Sequence, residues 1–153
     1  LGCGQGFISL YAAARGLIVE ALDIIEQTPA PLQGVSSVTY TVADLNEWYP
    51  EKQYDIIVAH QSIQFLQKEH ALREFLPSLC EALTPDGLLE ISTFLPEETL
   101  PVPTKYSLEE VLVALDPYIE ILEQRTVSYE KMHSTLGMHT FHELCVLAKK
   151  MST

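Results

Sequence analysis

The chain has 153 residues, 47% of them hydrophobic and 20% charged, which is length for one domain, 1–153, with apolar content enough for a buried core. Twenty-one acidic residues against nine Lys and Arg give a formal net charge of −12, and that balance argues against partners held through phosphates, whether nucleic acid or an anionic membrane surface. No apolar run suits a transmembrane helix, since Ile56–Gln67 is interrupted by His60, Gln61, Ser62 and Gln64. Cys3, Cys80 and Cys145 show no C-x-x-C spacing, which speaks against a disulfide framework or thiolate zinc site and for a reducing, cytoplasmic compartment.

In chain order, α-like and β-like segments alternate, the pattern of a parallel sheet with crossover helices. Residues 7–15 carry Ile8, Tyr11 and Ala12 at helical spacing and predict a helix ended by Gly16. Residues 17–24 (LIVEALDI) form an apolar run closed by an acid, hence a strand. Residues 26–34, with two prolines and a glycine, predict a loop or a short helix. A second strand follows over 35–42 and a third, buried one over 54–59. Residues 68–83 read as a helix that Pro77 kinks or divides. Thr84-Pro85-Asp86-Gly87 predicts a turn in which glycine supplies the positive φ, leading into a fourth strand over 88–94. After the proline-bearing stretch 96–103, Ser107 and Glu110 form a capping box that opens a helix running to about Leu115. Residues 118–129 and 140–148 predict two last strands, joined too closely for a crossover helix and therefore antiparallel.

The chain opens with Gly2, Gly4 and Gly6 in the order G-x-G-x-G and runs straight into the first helix. Such glycines allow close backbone approach to a ligand, and the helix start behind them offers free N–H groups. A dinucleotide fingerprint would need a third glycine where Phe7 stands, and no G-x-x-x-x-G-K-[ST] loop for nucleoside triphosphates is present. Asp23 closes the following strand, 21 residues after Gly2, where a carboxylate can accept from two ribose hydroxyls. Asp44 closes the next in the sequence Val42-Ala43-Asp44-Leu45, where it can accept from an adenine amino group. Taken singly, Asp23 reads equally as a helix N-cap or a solvated strand end, and Asp44 reads as a loop cap sooner than as a ligand contact. Together the three features fall at the carboxyl ends of successive strands, the edge at which open α/β sheets bind ligands.

On these residues the sequence resembles the class I S-adenosylmethionine-dependent methyltransferases. LGCGQG is similar to their first motif, LDI to the acidic second, VADLN to the adenine-contacting third, YDIIVAHQSIQFL to the strand-four segment, and LTPDGLLEIST to the turn and strand that follow. VADLN, IQFLQ and the TPDG turn further resemble the small tellurite-resistance-type and "methyltransferase 11/12" members. The resemblance implies a Rossmann-like α/β fold with a mostly parallel seven-stranded sheet, order 3-2-1-4-5-7-6, strand 7 antiparallel. It also implies that the first strand and its upstream helices precede Leu1, so the domain is expected to be N-terminally incomplete. Carried over residue by residue, Gly2, Cys3, Gly4 and Gly6 approach the methionine moiety of S-adenosylmethionine. Asp23 holds the ribose, Ile24 packs on the adenine, and Asp44 with Leu45 reads the adenine edge. Ala59 or His60 offers a backbone carbonyl to the methionine ammonium. The proline-rich stretch 26–34 is shorter than the family's usual second helix, which implies a more open pocket there.

Methyl transfer from a sulfonium needs a positioned nucleophile, and a base only when that nucleophile arrives protonated. His60, after strand four, is the candidate base, with a hydrogen-bonded structural histidine as the other reading. AHQS stands where enzymes that methylate nucleic-acid amino groups carry N-P-P-[YFW]. The expected acceptor is accordingly a small molecule, with a protein substrate or a non-catalytic cofactor-binding scaffold as alternatives. His133, His139 and His142, with Met132 and Met138, match no metal-ligand spacing, so solvated or packed side chains are expected and no metal. Tyr106, Tyr118 and Tyr129 either line a substrate mouth or pack.

Overall fold

Helix α1 (Phe7–Ala13) and the parallel strands β1 (Val19–Asp23) and β2 (Val38–Val42) carry the first part of the computed structural model, which describes residues 1–133 and 137–151. The chain divides into two compact units, Leu1–Trp48 and Tyr49–Thr153. In the first, β1 and β2 pair from Val19↔Val38 to Asp23↔Val42, so both strands end at the same edge. Helix α1 stops two residues short of the expected end. The N–H groups of Arg15 and Gly16 reach back three residues, to Ala12 and Ala13, and Gly16 at φ 84 turns the chain out of the helix. The link 24–37 contains one 3-10 turn, Ala30–Leu32, consistent with its prolines. Leu32, 3% exposed, packs beneath the glycine loop.

The second unit is a mixed sheet of β3 (Tyr54–His60), β4 (Leu83–Phe94), β5 (Ile119–His133) and β6 (Gly137–Lys150) in the order β3-β4-β6-β5. β3 and β4 are parallel, whereas β6 runs antiparallel to both β4 and β5. Period-two alternation sorts the side chains. Ile57, Ala59, Leu89, Ile91, Leu144, Val146 and Ala148 are all buried and share one face by register. The second unit's helices supply Phe75, Leu76, Leu79, Val111 and Leu115 to the core, each fully buried. The opposite face carries His60, Glu90, Ser92, Glu143 and Cys145. The two pieces β1-β2 and β3-β4-β6-β5 are a Rossmann-like alternation with one antiparallel strand inside the larger sheet.

Two local features take a form that the sequence did not specify. The segment 68–83 is divided next to Pro77, as expected, but by a π turn. α2 (Lys68–His70) widens into a π turn, Ala71–Phe75, and resumes as α3 (Leu76–Glu81) with Pro77 in its first turn, where a missing N–H costs little. The TPDG turn survives as a bulge inside β4, because Leu83 and Leu88 pair with Tyr54 and Ile56. Its positive φ belongs to Asp86, at 64°, and not to Gly87. Glycine is required at 87 for space: a Cβ there would lie 2.9 Å from the Thr84 carbonyl oxygen. Ser107 and Glu110 close both halves of the capping box at the start of α4 (Leu108–Leu115).

Candidate cofactor and acceptor sites

In the first unit the glycine loop is built onto the end of β1. The Cys3 N–H donates to the Leu22 carbonyl at 2.8 Å, and the Gly6 N–H donates to the Cys3 carbonyl at 2.8 Å. Gly4 (φ 51) and Gly6 (φ 78) both occupy the left-handed region that other residues avoid. A Cβ on Gly6 would also come within 2.6 Å of Leu32 Cγ, whereas one on Gly4 would meet nothing within 4 Å. Gly6 is thus fixed by packing from below, and Gly4 leaves open space above the loop.

Asp23, 8% exposed, ties this loop to the strand end. Its Oδ2 accepts the Gly4 N–H at 2.7 Å and its Oδ1 the Ile25 N–H at 3.2 Å. Each carboxylate oxygen offers two acceptor directions, so these bonds leave capacity for hydroxyl donors. Ile24, 64% exposed, stands beside it as an apolar surface. The Ala43 N–H donates to the Asp23 carbonyl at 2.9 Å, which brings the end of β2 to the end of β1. Asp44 is exposed and caps its own turn: Oδ1 accepts from the backbone N–H and side-chain Nδ2 of Asn46, both at 2.9 Å. Those bonds hold its carboxyl below the usual carboxylate range. Leu45 beside it is half-buried. Burial, then the nearby Asp23 charge, pushes the Cys3 thiol up, so it stays protonated at neutral pH.

These residues fit an adenosine-bearing ligand with an amino-acid tail. The backbone approaches without side chains at Gly4, a buried carboxylate retains acceptor capacity, and an exposed branched residue flanks it.

In the second unit, Ala59 is fully buried. His60 ends β3 with its side chain 45% exposed. Its Nδ1 lies 2.9 Å from Ser92 Oγ and 3.3 Å from Glu90 Oε1. The hydrogen bond to Glu90 raises the His60 pKa, burial opposes it, and the charges of Glu90 and Glu143 add to the rise. Gln61 follows at φ 48, in the left-handed region for a non-glycine residue, and its N–H donates to the Ser92 carbonyl at 2.9 Å. Its amide donates to Glu143 Oε1, which also accepts the Tyr129 hydroxyl at 2.6 Å. Burial and Glu143 push the Tyr129 phenol up to about 12.

Sequence reasoning missed Glu90, Ser92 and Glu143. Only the register of β3 on β4 and of β4 on β6 sets them near His60. The tyrosines separate: Tyr106 is fully buried and donates to the Ile63 carbonyl at 2.9 Å, so it packs, while Tyr129 joins the polar group. His139 Nε2 pairs with the buried Glu98 Oε1 at 2.6 Å. His142 Nδ1 meets Ser128 Oγ at 2.9 Å, and the His133 ring lies 6.3 Å from that of His139. Met132 and Met138 are exposed cross-strand partners. Among the described residues no group of three or more His, Cys, Asp or Glu side chains is placed to hold a metal ion.

Residues 1–87 match the family model described as a methyltransferase domain. The chain belongs to that family, the class I S-adenosylmethionine-dependent methyltransferases, whose cofactor is S-adenosylmethionine. It is similar to the malonyl-[acyl-carrier protein] O-methyltransferase 2 of Ilyobacter polytropus, 28% identical over 89% of this chain and 51% of that protein. It is also similar to the trans-aconitate 2-methyltransferase of Methylobacterium radiotolerans, 33% identical over 60% of this chain and 35% of that protein. The chain thus spans about half or less of the length of these relatives. Among solved structures, TehB from Haemophilus influenzae shares the fold, with a TM-score of 0.81 at 21% identity over 97% of this chain and 55% of that one.

Proposed function

We propose that the protein transfers a methyl group from S-adenosylmethionine to a small-molecule acceptor. The observation that carries this reading is the glycine loop held on the Asp23 carboxylate, with the Gly4 N–H 2.7 Å from Oδ2 and open space above Gly4. The cofactor supplies an electrophilic methyl on a sulfonium sulfur. Asp23 receives ribose hydroxyls, Ile24 covers one face of the adenine, and Asp44 with the Leu45 backbone meets the adenine edge. The Ala59 or His60 carbonyl takes the methionine ammonium, as the family resemblance implies. His60 acts on the acceptor. The seven-stranded order 3-2-1-4-5-7-6 is the arrangement we propose for the whole domain, of which β1-β2 and β3-β4-β6-β5 are parts.

The charge of −12 and a relative whose own name gives a small acid, trans-aconitate, support an acceptor among small molecules. Formation of S-adenosylhomocysteine, followed by mass spectrometry across a panel of phenols, amines and carboxylic acids, tests the reading. With an acceptor that turns over, His60→Ala is expected to lower turnover far more than cofactor affinity. Equal losses in both would assign His60 to binding instead of proton transfer.

A further inference from the structure

His60 does not stand alone at the end of β3. It pairs with Ser92 on β4, and Glu90, two residues earlier on the same strand, points to the same face. Both side chains address a single ring atom, Nδ1, at 2.9 Å from Ser92 Oγ and 3.3 Å from Glu90 Oε1. A carboxylate only accepts hydrogen bonds, so the nitrogen facing it carries the proton. Ser92 Oγ lies 3.2 Å from the Gln61 N–H, the longer arm of a bond shared with the Ser92 carbonyl at 2.9 Å, and its second lone pair can accept from Nδ1–H. The other Glu90 oxygen, Oε2, is buried with no hydrogen-bond partner among the described residues. Nothing there competes for the charge that faces the ring, and the half-exposed imidazole retains Nε2 as the nitrogen that neither partner engages.

We propose that Glu90 is a positioning residue that fixes His60 as the Nδ1–H tautomer, so that Nε2 removes a proton from an acceptor bearing an O–H or N–H group. This rests on the methyltransferase reading above and narrows its acceptor class. The acceptor's proton passes to Nε2 and then to water, and the electron pair left on its oxygen or nitrogen forms the new bond to the methyl carbon. The C–S pair stays with the sulfur. A carboxylate acceptor arrives already deprotonated, needs no base, and would meet like charge at Glu90 and at Glu143, the two acids acting on the ring from β4 and β6. The favoured acceptor is therefore a neutral or cationic hydroxyl or amine. It differs in this from trans-aconitate, which the name of one relative gives.

The test is nitrogen-detected NMR of His60 in the whole protein, wild type and Glu90→Gln, across pH and with S-adenosylhomocysteine present. The expected result is an Nδ1–H tautomer in the wild type. Glu90→Gln should lower the His60 pKa and mix the tautomers, while the melting temperature and S-adenosylhomocysteine affinity hold. An Nε2–H tautomer, or a pKa and tautomer that Glu90→Gln does not move, would overturn the proposal. Catechol and trans-aconitate serve as acceptor probes. Methylation of catechol, its acidic limb shifted down in Glu90→Gln, supports the assignment, and methylation of trans-aconitate in preference contradicts it. Absence of S-adenosylhomocysteine binding would instead defeat the cofactor reading, leaving the tautomer result to stand or fall separately.

Discussion

Two carboxylates show how differently one residue type is used here. Asp23 holds a ligand-type loop with capacity to spare, whereas Glu98 is consumed by the fold. Glu98 is 1% exposed. Its Oε1 accepts from the Leu100 N–H at 2.8 Å and lies 2.6 Å from His139 Nε2, while Oε2 accepts the His142 N–H at 2.8 Å. Burial raises its pKa, but the backbone N–H groups of His142 and Leu100 and the His139 ring outweigh that and hold it below the usual 4.5. A carboxyl whose folded pKa is depressed contributes stability that is full above its unfolded value and lost as pH falls through the folded one. Thermal melts should therefore show the Glu98→Gln penalty above pH 5 and its disappearance in more acidic buffer. His139→Ala, which leaves a buried charge short of one donor, should cost about 1.5–3 kcal/mol at neutral pH. A constant penalty for Glu98→Gln across this range would remove Glu98 from that role. In the sequence, Glu98 sits in a proline-bearing loop and resembles a solvated acid. Its partner stands 41 residues away, beyond any local pattern.

At the scale of the element, what could be read was what is local. The capping box is complete at Ser107 and Glu110, with Glu110 also 2.7 Å from Lys68 Nζ. Ser107→Ala should cost about 1 kcal/mol in chemical denaturation, and an unchanged midpoint would show that packing of Val111 and Leu115 suffices without the cap. The strand end bearing Asp23 was legible because an apolar run closed by an acid marks its own boundary, whereas Asp44 lies two residues past β2 in the turn it caps. The helix 68–83 was legible in extent but not in detail, since the pattern that marks a helix does not distinguish the π turn Ala71–Phe75 ahead of Pro77. The last two strands were underestimated. Residues 130–133 and 137–139 are polar or exposed and carry no apolar alternation, yet they continue the hairpin to His133↔Gly137 by backbone pairing.

For the whole molecule, the glycine loop and its acidic strand end were more visible in the sequence than the polar group around His60. Gly2, Gly4, Gly6 and Asp23 fall within 23 residues of chain, and their spacing conveys the chemistry. His60, Glu90 and Glu143 are scattered over three strands, and only the sheet order β3-β4-β6 places them on one face. The family match extends over residues 1–87, the part that holds the ligand-type loop. The most direct test is therefore calorimetric titration of S-adenosylmethionine and S-adenosylhomocysteine into the protein and into Asp23→Ala, with circular dichroism verifying that the variant folds. The account predicts micromolar binding, about −8 kcal/mol, weakened in Asp23→Ala by about 1–3 kcal/mol as two acceptor oxygens and the anchor of the glycine loop are lost. Binding that is absent from the wild type, or equally tight in a folded Asp23→Ala variant, would contradict it.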